Sequence, residues 1–226
     1  MIKSTPSPAP AIRVRPACPD DLPDFTRIVA EAFSTKMVVL FGRNPARIQK
    51  IQSAMYRGPL EHGYDGLLVA EIERQIVGTV AIEPMPWFAE DAHFVQYLTK
   101  TELSLWRQWW NRTGFAVFAH GPGFGDAYLT DIAVLKTARG KGVGTALFQA
   151  AEQWAVVHRR QALTLWVAAN NHVARRLYTT AGLTVTRSEF SAPSGILFGV
   201  WRWLHMMKLL PPRTPVSTAE VIEIAN

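Results

Sequence analysis

The chain has 226 residues, 48% of them hydrophobic and 19% charged, so it can form one domain with a sizeable buried core. Its single cysteine, Cys18, excludes an internal disulfide framework and is compatible with a reducing compartment. The formal net charge is +6, and between residues 136 and 187 eight Lys and Arg stand against one acid, Glu152. No basic run exceeds two residues and no nucleic-acid-binding motif is present. A compact anionic ligand therefore explains this charge more economically than nucleic acid or a membrane surface.

The first half of the chain predicts a tail, a strand, two helices and a hairpin. Residues 1–10 are rich in proline and serine, which predicts a flexible tail and not the apolar core of an export signal. The predicted elements after this tail are a strand at Ile12–Arg15, a helix from Pro19 to about Phe33, a loop over Ser34–Asn44, a helix over Pro45–Arg57, and hairpin strands at Leu67–Ile72 and Gln75–Ile82.

Residues 87–125 differ from the rest of the chain in composition. They hold four of the eight tryptophans and predict a mainly helical insertion between the third and fourth strands. The glycines at 121, 123 and 125 predict a loop that closes this insertion. Its aromatic surface is compatible with packing on the sheet, with a subunit contact or with one wall of a ligand site, because large aromatic side chains contribute burial in all three settings.

The second half of the chain alternates predicted strands and helices. The predicted elements are a strand at Tyr128–Leu135, a glycine-rich loop at Arg139–Gly144, a helix from Val143 to Val157, a strand at Ala162–Ala169, a helix at Asn171–Ala181, and strands at Leu183–Phe190 and Ile196–Leu209 around a turn at residues 193–195. Residues 211–226 predict a disordered tail, so residues 11–210 form the single predicted domain. The apolar stretch 196–210 has only fifteen residues, three of them basic, so we expect a soluble, cytoplasmic protein.

The glycine-rich loop, which follows a strand and opens a helix, is a predicted anion site. Glycines let backbone N–H groups approach an anion closely, and the helix start adds partial positive charge. Arg139 and Lys141 add full positive charges. The loop lacks the GxxxxGK[ST] spacing of a Walker nucleotide loop. Its glycines at 140, 142 and 144 also depart from the GxGxxG of a dinucleotide loop, and no acid ends the next strand.

Two sequence blocks resemble signatures of the GNAT superfamily of N-acetyltransferases. Arg139-x-x-Gly142-x-Gly144, after an apolar strand, resembles the superfamily's acetyl-CoA signature, Arg/Gln-x-x-Gly-x-Gly/Ala. The block from Asn171 to Leu183 resembles its NxxAxxLYxxxGF element. The resemblance implies an α/β (α+β) fold with a mixed, mostly antiparallel central sheet of about six to seven strands flanked by helices. It also implies an acetyl-CoA-dependent N-acetyltransferase.

The resemblance further implies which residues bind acetyl-CoA. Backbone N–H groups of the loop would hold the pyrophosphate, while the preceding strand would bind the pantetheine arm and polarise the thioester carbonyl through one N–H. Asn171 is also a candidate helix cap, and Arg175 or Arg176 is a candidate contact for the 3′-phosphate. No metal is implied. The implied cofactor contacts are Ile132, Ala133, Val134, Arg139, Gly140, Lys141, Gly142, Val143, Gly144, Thr145, Asn171 and Tyr178.

The catalytic candidates are an acid and a base. Tyr178 falls on the motif's tyrosine, which is the implied proton donor to the departing thiolate, although its pattern alone also fits a packing tyrosine. The acceptor ammonium must lose a proton, and Asp131 is the first candidate base. Polyamine-acting members carry a Glu-Asp pair where this chain has Thr130-Asp131, which weakens a polyamine reading. The other candidate bases are Glu83, Asp126, His120 and His172, each of which is more typical of a structural or solvated position than of a catalytic one.

The acceptor remains open between a small-molecule amine and a peptide amine. If residues 87–125 form a wall of the site, they would select an apolar or aromatic amine, although the tryptophans alone do not name a substrate. The Thr35–Asn44 loop is the other predicted wall. No cysteine is placed as an acyl carrier, so we expect direct attack in a ternary complex.

Two other readings of the sequence stay open beside the enzyme. One is a non-catalytic acyl-CoA-binding sensor of the same fold, and the other is a nucleic-acid or membrane-surface binder that uses the basic excess. We expect no nucleic-acid or membrane partner. Dimers are common among the proteins that the chain resembles, so a homodimer is one expectation for its assembly.

Overall fold

The computed structural model describes residues 11–83, 123–130 and 132–211, which form eight strands and six α-helices. The predicted tails, apart from residue 211, and residues 87–122 of the predicted insertion lie outside these ranges. The strands are β1 (Ile12–Pro16), β2 (Leu67–Ile72), β3 (Gln75–Glu83), β4 (Ala127–Leu129), β5 (Ala133–Val134), β6 (Ala162–Ala168), β7 (Thr184–Phe190) and β8 (Arg202–Leu209). The helices are α1 (Leu22–Ala32), α2 (Ser34–Phe41), α3 (Pro45–Glu61), α4 (Val143–Val157), α5 (His172–Thr180) and α6 (Ala192–Phe198).

All eight strands belong to one sheet, in the order β1-β2-β3-β4-β6-β8-β7, with β5 paired to β3 beyond the end of β4. The β4–β6 pair is parallel and the other described pairs are antiparallel. This confirms the predicted mixed, mostly antiparallel sheet. The described strand count exceeds the predicted six to seven because the strand predicted at Tyr128–Leu135 is divided into β4 and β5.

A one-residue bulge divides that strand. Ile82 of β3 pairs with Leu129, whereas Thr79 pairs with Ala133, so two β3 residues face three on the opposite side. Beyond the bulge β5 remains on β3, while β6 pairs only with residues 127 and 128 of β4. The sheet therefore opens between β5 and β6, and this opening positions the functional site.

Helices cover both faces of the sheet, which explains the continuous apolar run at the start of β2. Leu68 packs with α4 on one face, and Leu67 packs with α1 and α3 on the other. Strands buried on both faces have such runs in place of an alternating pattern. A Cβ at Gly78 of β3 would lie 2.9 Å from Val143 Cγ1, so glycine there lets α4 approach the sheet closely. Burial of Leu147 on this helix contributes about 2 kcal/mol.

The segment Ser34–Asn44, predicted as a loop, contains the helix α2 over Ser34–Phe41. Its buried residues are Met37, Leu40 and Phe41, which are three and four positions apart and so lie on one helical face. These side chains form a small core with Ile48 and Ile51 of α3. The loop prediction was wrong because burial of this face outweighs the weak helix propensity of the two adjacent valines.

The predicted turn at residues 193–195 is also wrong, because this segment forms α6. The Ser191 side chain accepts a hydrogen bond from the Ser194 N–H at 3.2 Å and caps the helix, and Pro193 lies in the first turn, where proline is tolerated. Gly199, at φ +70°, follows the helix, and β8 begins at Arg202 instead of the predicted Ile196.

None of the helices in the described ranges combines the length and apolar character that crossing a membrane requires.

Candidate active site

The glycine-rich loop joins β5 to α4 and ends at the helix start. Gly140 and Gly142 have φ values of +76° and +87°, a backbone region that disfavours residues with a Cβ. Gly142 is the N-cap of α4, and its carbonyl accepts the first helical hydrogen bond, from the Ala146 N–H at 3.0 Å. The N–H groups of the first helical turn have no acceptor within the helix. The loop therefore presents backbone donors beside the opening of the sheet.

A cleft of about 620 Å³ lies between β5, this loop and α5. Ten of the twelve predicted cofactor contacts line it, and the two that do not are Ala133 and Lys141. Ala133 is buried in the core because its side chain points to the opposite face from its neighbours, and Lys141 is exposed. The cleft is lined by Ile132, Val134, Ala138, Arg139, Gly140, Gly142, Val143, Gly144, Thr145, Asn171, Val173, Ala174, Leu177 and Tyr178.

One residue of β5 directs its backbone N–H and C=O groups towards the cleft. The Leu135 N–H donates to the Val77 carbonyl at 2.9 Å, so these two residues form a hydrogen-bonded antiparallel pair. Because such pairs alternate along a ladder, the N–H and C=O of Val134 point away from β3. The Val134 carbonyl accepts a hydrogen bond from Arg139 Nε at 3.3 Å. Among the predicted strand residues, Val134 therefore directs its backbone N–H to the cleft.

Positive charge at the cleft comes from the glycine-rich loop. Arg139 is the only charged side chain among the described residues that line the cleft. The predicted phosphate contact Arg175 instead donates from Nη1 to the Ala169 carbonyl at 2.9 Å, and Arg176 is exposed without lining the cleft. Among the described residues that line the cleft, the positive charge therefore lies near the start of α4.

Helix α5 forms the opposite wall of the cleft. Asn171 is its N-cap, and the Asn171 Oδ1 accepts a hydrogen bond from the Ala174 N–H at 3.1 Å. Tyr178 lies seven positions further on, about two turns, and therefore on the same face as Asn171. The NxxAxxLY block thus combines a helix cap with a row of side chains that faces the opening of the sheet.

Tyr178 is buried on α5 and packs against Phe148 of α4, with ring centroids 6.2 Å apart. Burial raises the pKa of Tyr178 to about 12. The hydroxyl is therefore protonated at neutral pH and can donate a hydrogen bond or a proton to a developing anion.

A second cavity of about 270 Å³ adjoins the cleft and shares Asn171, Ala174 and Tyr178 with it. Thr35 and Lys36, the first two residues of the Thr35–Asn44 segment, line it. Its remaining lining residues are Ala32, Phe33, Thr130, Trp166, Val167, Ala168, Phe198, Val200 and Trp203. The four aromatic residues of this lining are not predicted as site residues, because they lie between α1 and α2 and on β6, α6 and β8, which only the fold brings together. The local signal was weak: Trp166 and Ala168 lie two positions apart on one face of β6.

Three of the candidate bases lie within the described residues. Glu83 pairs with Tyr128 at the far end of β3, Asp126 precedes β4, and His172 is exposed in the first turn of α5. None of these three lines the cleft or the second cavity. Asp131 and His120 lie outside the described residues. Within the described ranges, no group of three or more His, Cys, Asp or Glu side chains is placed to hold a metal ion.

Comparisons with known proteins agree with this geometry. The sequence model of the acetyltransferase (GNAT) family matches residues 30–183, well over half of the chain. An uncharacterized N-acetyltransferase from Archaeoglobus fulgidus is 26% identical over 172 residues, which cover 76% of this chain and 92% of that protein.

Solved acetyltransferase structures share the fold. A putative acetyltransferase from Salmonella typhimurium, solved with its cofactor acetyl-CoA, has a TM-score of 0.60 at 18% identity. The match covers 92% of this chain and 99% of the Salmonella chain. A ribosomal-protein-alanine N-acetyltransferase from Brucella melitensis has a TM-score of 0.57 at 20% identity. The match covers 88% of this chain and 99% of the Brucella chain. The family match, the homologous N-acetyltransferase and the shared fold lead to one conclusion: the chain belongs to the GNAT family of acetyltransferases.

Proposed function

We propose that the chain is an N-acetyltransferase that moves the acetyl group of acetyl-CoA to a primary amine by direct attack in a ternary complex. One observation carries the proposal: the cleft beside the glycine-rich loop and the second, largely apolar cavity meet at Tyr178. The cleft is the proposed acetyl-CoA site and the second cavity is the proposed acceptor site. A transfer between two substrates requires such a junction, because the reacting atoms must be about 3–3.5 Å apart.

The residues of the cleft fit coenzyme A from its phosphates to its thioester. The first-turn N–H groups of α4 and the Arg139 side chain suit a pyrophosphate. The Val134 N–H lies along the wall where a pantetheine amide or the thioester carbonyl would bind. Gly144 leaves the loop without a side chain at the cleft, where an added Cβ would lie 3.4 Å from Leu177 Cδ2.

Bound acetyl-CoA supplies an activated acetyl group as its thioester. The amine nitrogen would donate its lone pair to the acetyl carbon, so that one C–N bond forms, one C–S bond breaks, and an amide and free CoA result. Tyr178 would donate its hydroxyl proton to the departing sulfur and regain a proton from solvent.

The acceptor proton goes to a base, and we assign this role to Asp131. Its neighbours support the assignment, because Thr130 lines the acceptor cavity and Ile132 lines the cleft. Cys18 is exposed and lines neither cavity, which supports direct transfer instead of a cysteine-bound acyl intermediate.

The test is product formation from defined substrates. The full chain is incubated with acetyl-CoA and a panel of primary amines, and acetylated amine and free CoA are measured by mass spectrometry. We expect stoichiometric amounts of both products. Binding of acetyl-CoA without transfer to any amine would favour the non-catalytic sensor, and absence of acetyl-CoA binding would refute both.

A further inference from the structure

We infer that two copies of this chain associate through the outer edges of their β7 strands, which pair antiparallel about a two-fold axis at Ser188. The inference goes beyond the proposed function and does not depend on it. It follows from three properties of β7: the exposure of the strand, the direction of its backbone groups and the order of its charges.

β7 is the last strand at one edge of the described sheet, and both of its faces are exposed. Six of its seven residues are exposed, whereas the first four residues of β2 are buried. At the end of β7 the Phe190 and Trp201 rings stack 6.0 Å apart, yet these residues remain 64% and 50% exposed. An open edge strand is a template for another strand, and proline or charge discourages such pairing. The opposite edge strand, β1, carries Pro16 and two arginines, whereas β7 has no proline.

The backbone of β7 offers hydrogen-bonding groups on its outer side. The Ser191 N–H donates to the Trp201 carbonyl at 3.0 Å, so these two residues form a hydrogen-bonded pair next to the β7–β8 ladder. Because such pairs alternate along a ladder, the N–H and C=O groups of Phe190 and Ser188 point away from β8. Among the described strands, none pairs with this side of β7. The bulge of β7 lies before Arg187, so the edge is regular from there to the end of the strand.

The charges on this edge are complementary to themselves under a two-fold rotation. Arg187 Nη1 and Glu189 Oε1 lie 3.4 Å apart on one face of β7, and the two side chains are 69% and 40% exposed. When two antiparallel strands are centred on Ser188, residue 187 of each copy faces residue 189 of the other. Two ion pairs between the copies then add to the contact within each strand. A strand of another protein would need the same spacing of charges, so the pattern favours a second copy of this chain.

The same charges select one register. Centring the pair on Glu189 would place two carboxylates directly opposite each other, and centring it on Arg187 would do the same with two guanidinium groups. Like charges in opposite positions destabilise a strand pair. In the Ser188 register, each Phe190 instead lies opposite Thr186 of the second copy and adds apolar contact to the pair.

Sedimentation velocity of the full chain tests the association. We expect a dimer of twice the 25.2 kDa chain mass at micromolar concentrations. Arg187→Glu and Glu189→Arg should each raise the dissociation constant at least about tenfold, because each replaces two attractive contacts with two repulsive ones. The double variant Arg187→Glu/Glu189→Arg restores opposite charges and should recover the dimer. Arg13→Glu, an exposed position on β1 at the opposite edge, is the control and should leave the dissociation constant unchanged.

Ser188→Pro tests the backbone ladder separately from the charges. It removes an outward N–H that the ladder needs and should make the chain monomeric. Ser188→Ala is the matched control. It loses the same hydroxyl, which accepts a hydrogen bond from Arg202 Nη1 at 3.1 Å, but it keeps the N–H and should remain dimeric. Circular dichroism checks that each variant is folded, and if Ser188→Pro does not fold, the charge variants decide alone.

Three results would overturn the inference. The first is a monomeric unmodified chain, which would leave the edge to a strand of another protein. The second is a dimer that persists unchanged in Arg187→Glu and Glu189→Arg, which would place the interface elsewhere. The third is loss of the dimer in both single variants without recovery in the double variant.

Discussion

At the scale of single residues, Tyr178 connects the two cavities. We expect Tyr178→Phe to lower kcat by roughly 100-fold or more, because it removes the proton donor to the departing thiolate. The affinity for acetyl-CoA should change little, since the ring and its packing against Phe148 remain. Steady-state kinetics and calorimetry measure the two quantities separately. Because the pKa of Tyr178 is about 12, ionisation of this residue should not reduce kcat below about pH 10.

The matched control for this substitution is Tyr64→Phe. The Tyr64 hydroxyl donates to the Ile82 carbonyl at 2.6 Å and lines neither cavity. Its loss should cost about 1 kcal/mol of unfolding free energy and leave kcat unchanged. If Tyr178→Phe kept the kcat of the unmodified chain, the acid role of Tyr178 would be wrong.

The sequence predicted the cleft residues better than the acceptor residues. Arg139, Gly142, Asn171 and Tyr178 were predictable because the loop, the helix start and the helix cap depend on neighbours within a few positions. Trp203 was not predictable as a lining residue of the second cavity, because its place beside Trp166 and Phe33 depends on strand order and register. Because side chains alternate between the two faces along the strand that precedes the glycine-rich loop, Ile132 and Val134 line the cleft and Ala133 does not.

At the scale of elements, the cap of α5 combines a structural and a binding role. We expect Asn171→Ala to lower the free energy of unfolding by about 0.5–2 kcal/mol, since it removes the hydrogen bond to the Ala174 N–H. It should also raise the KM for acetyl-CoA, because Asn171 lines the cleft. Thermal unfolding and steady-state kinetics check the two effects.

Asn44→Ala provides the control, because Asn44 caps α3 in the same way. Its Oδ1 accepts a hydrogen bond from the Arg47 N–H at 3.2 Å, and it lines neither cavity. We expect Asn44→Ala to lower the free energy of unfolding by a similar amount and to leave the KM for acetyl-CoA unchanged. Equal changes of KM in both variants would show that the effect of Asn171→Ala is only a loss of stability.

Most element positions followed from periodicity and capping, and the exceptions have physical causes. The helix α2 was missed although Met37, Leu40 and Phe41 have helical spacing, because adjacent valines disfavour a helix and the burial that stabilises it depends on packing against α3. The bulge between β4 and β5 was missed because a continuous apolar strand and a bulged one have the same composition. Register against β3 distinguishes them, and register is a tertiary property.

At the scale of the whole molecule, one ion-pair cluster joins β1, the start of α1 and β2. Arg15 of β1 contacts Asp21 Oδ2 through Nη1 and Glu71 Oε1 of β2 through Nη2, both at 2.6 Å. Burial alone would raise the pKa of Asp21, but hydrogen bonds from Arg15 and the Cys18 N–H outweigh burial and lower this pKa. The ionised carboxylate of Asp21 therefore stabilises the fold.

We expect Asp21→Asn to lower the free energy of unfolding by about 2 kcal/mol at pH 7. The folded pKa of Asp21 lies below its unfolded value of about 3.9, so this contribution is complete above that pH. The contribution is lost as the pH falls through the folded pKa of Asp21. The difference in free energy of unfolding between the unmodified chain and Asp21→Asn should therefore shrink towards pH 2. Denaturant unfolding at several pH values measures it.

Asp24→Asn is the control for this pH dependence. Asp24 pairs with Arg27 on the surface of α1, with half of its side chain exposed, so its loss should cost less than about 1 kcal/mol. A difference for Asp21→Asn that stayed constant between pH 7 and pH 2 would contradict the proposed role of the ionised carboxylate.

Calorimetric titration of acetyl-CoA tests the central claim, the binding of acetyl-CoA at the glycine-rich loop, most directly. The unmodified chain should bind, and Gly142→Asp should weaken binding by roughly 100-fold or more, because a carboxylate would face the phosphates. Gly63→Asp, at a similar φ of +71° in open space away from the cleft, should bind like the unmodified chain. Equal affinity of Gly142→Asp and the unmodified chain, or no binding by the unmodified chain, would contradict the claim.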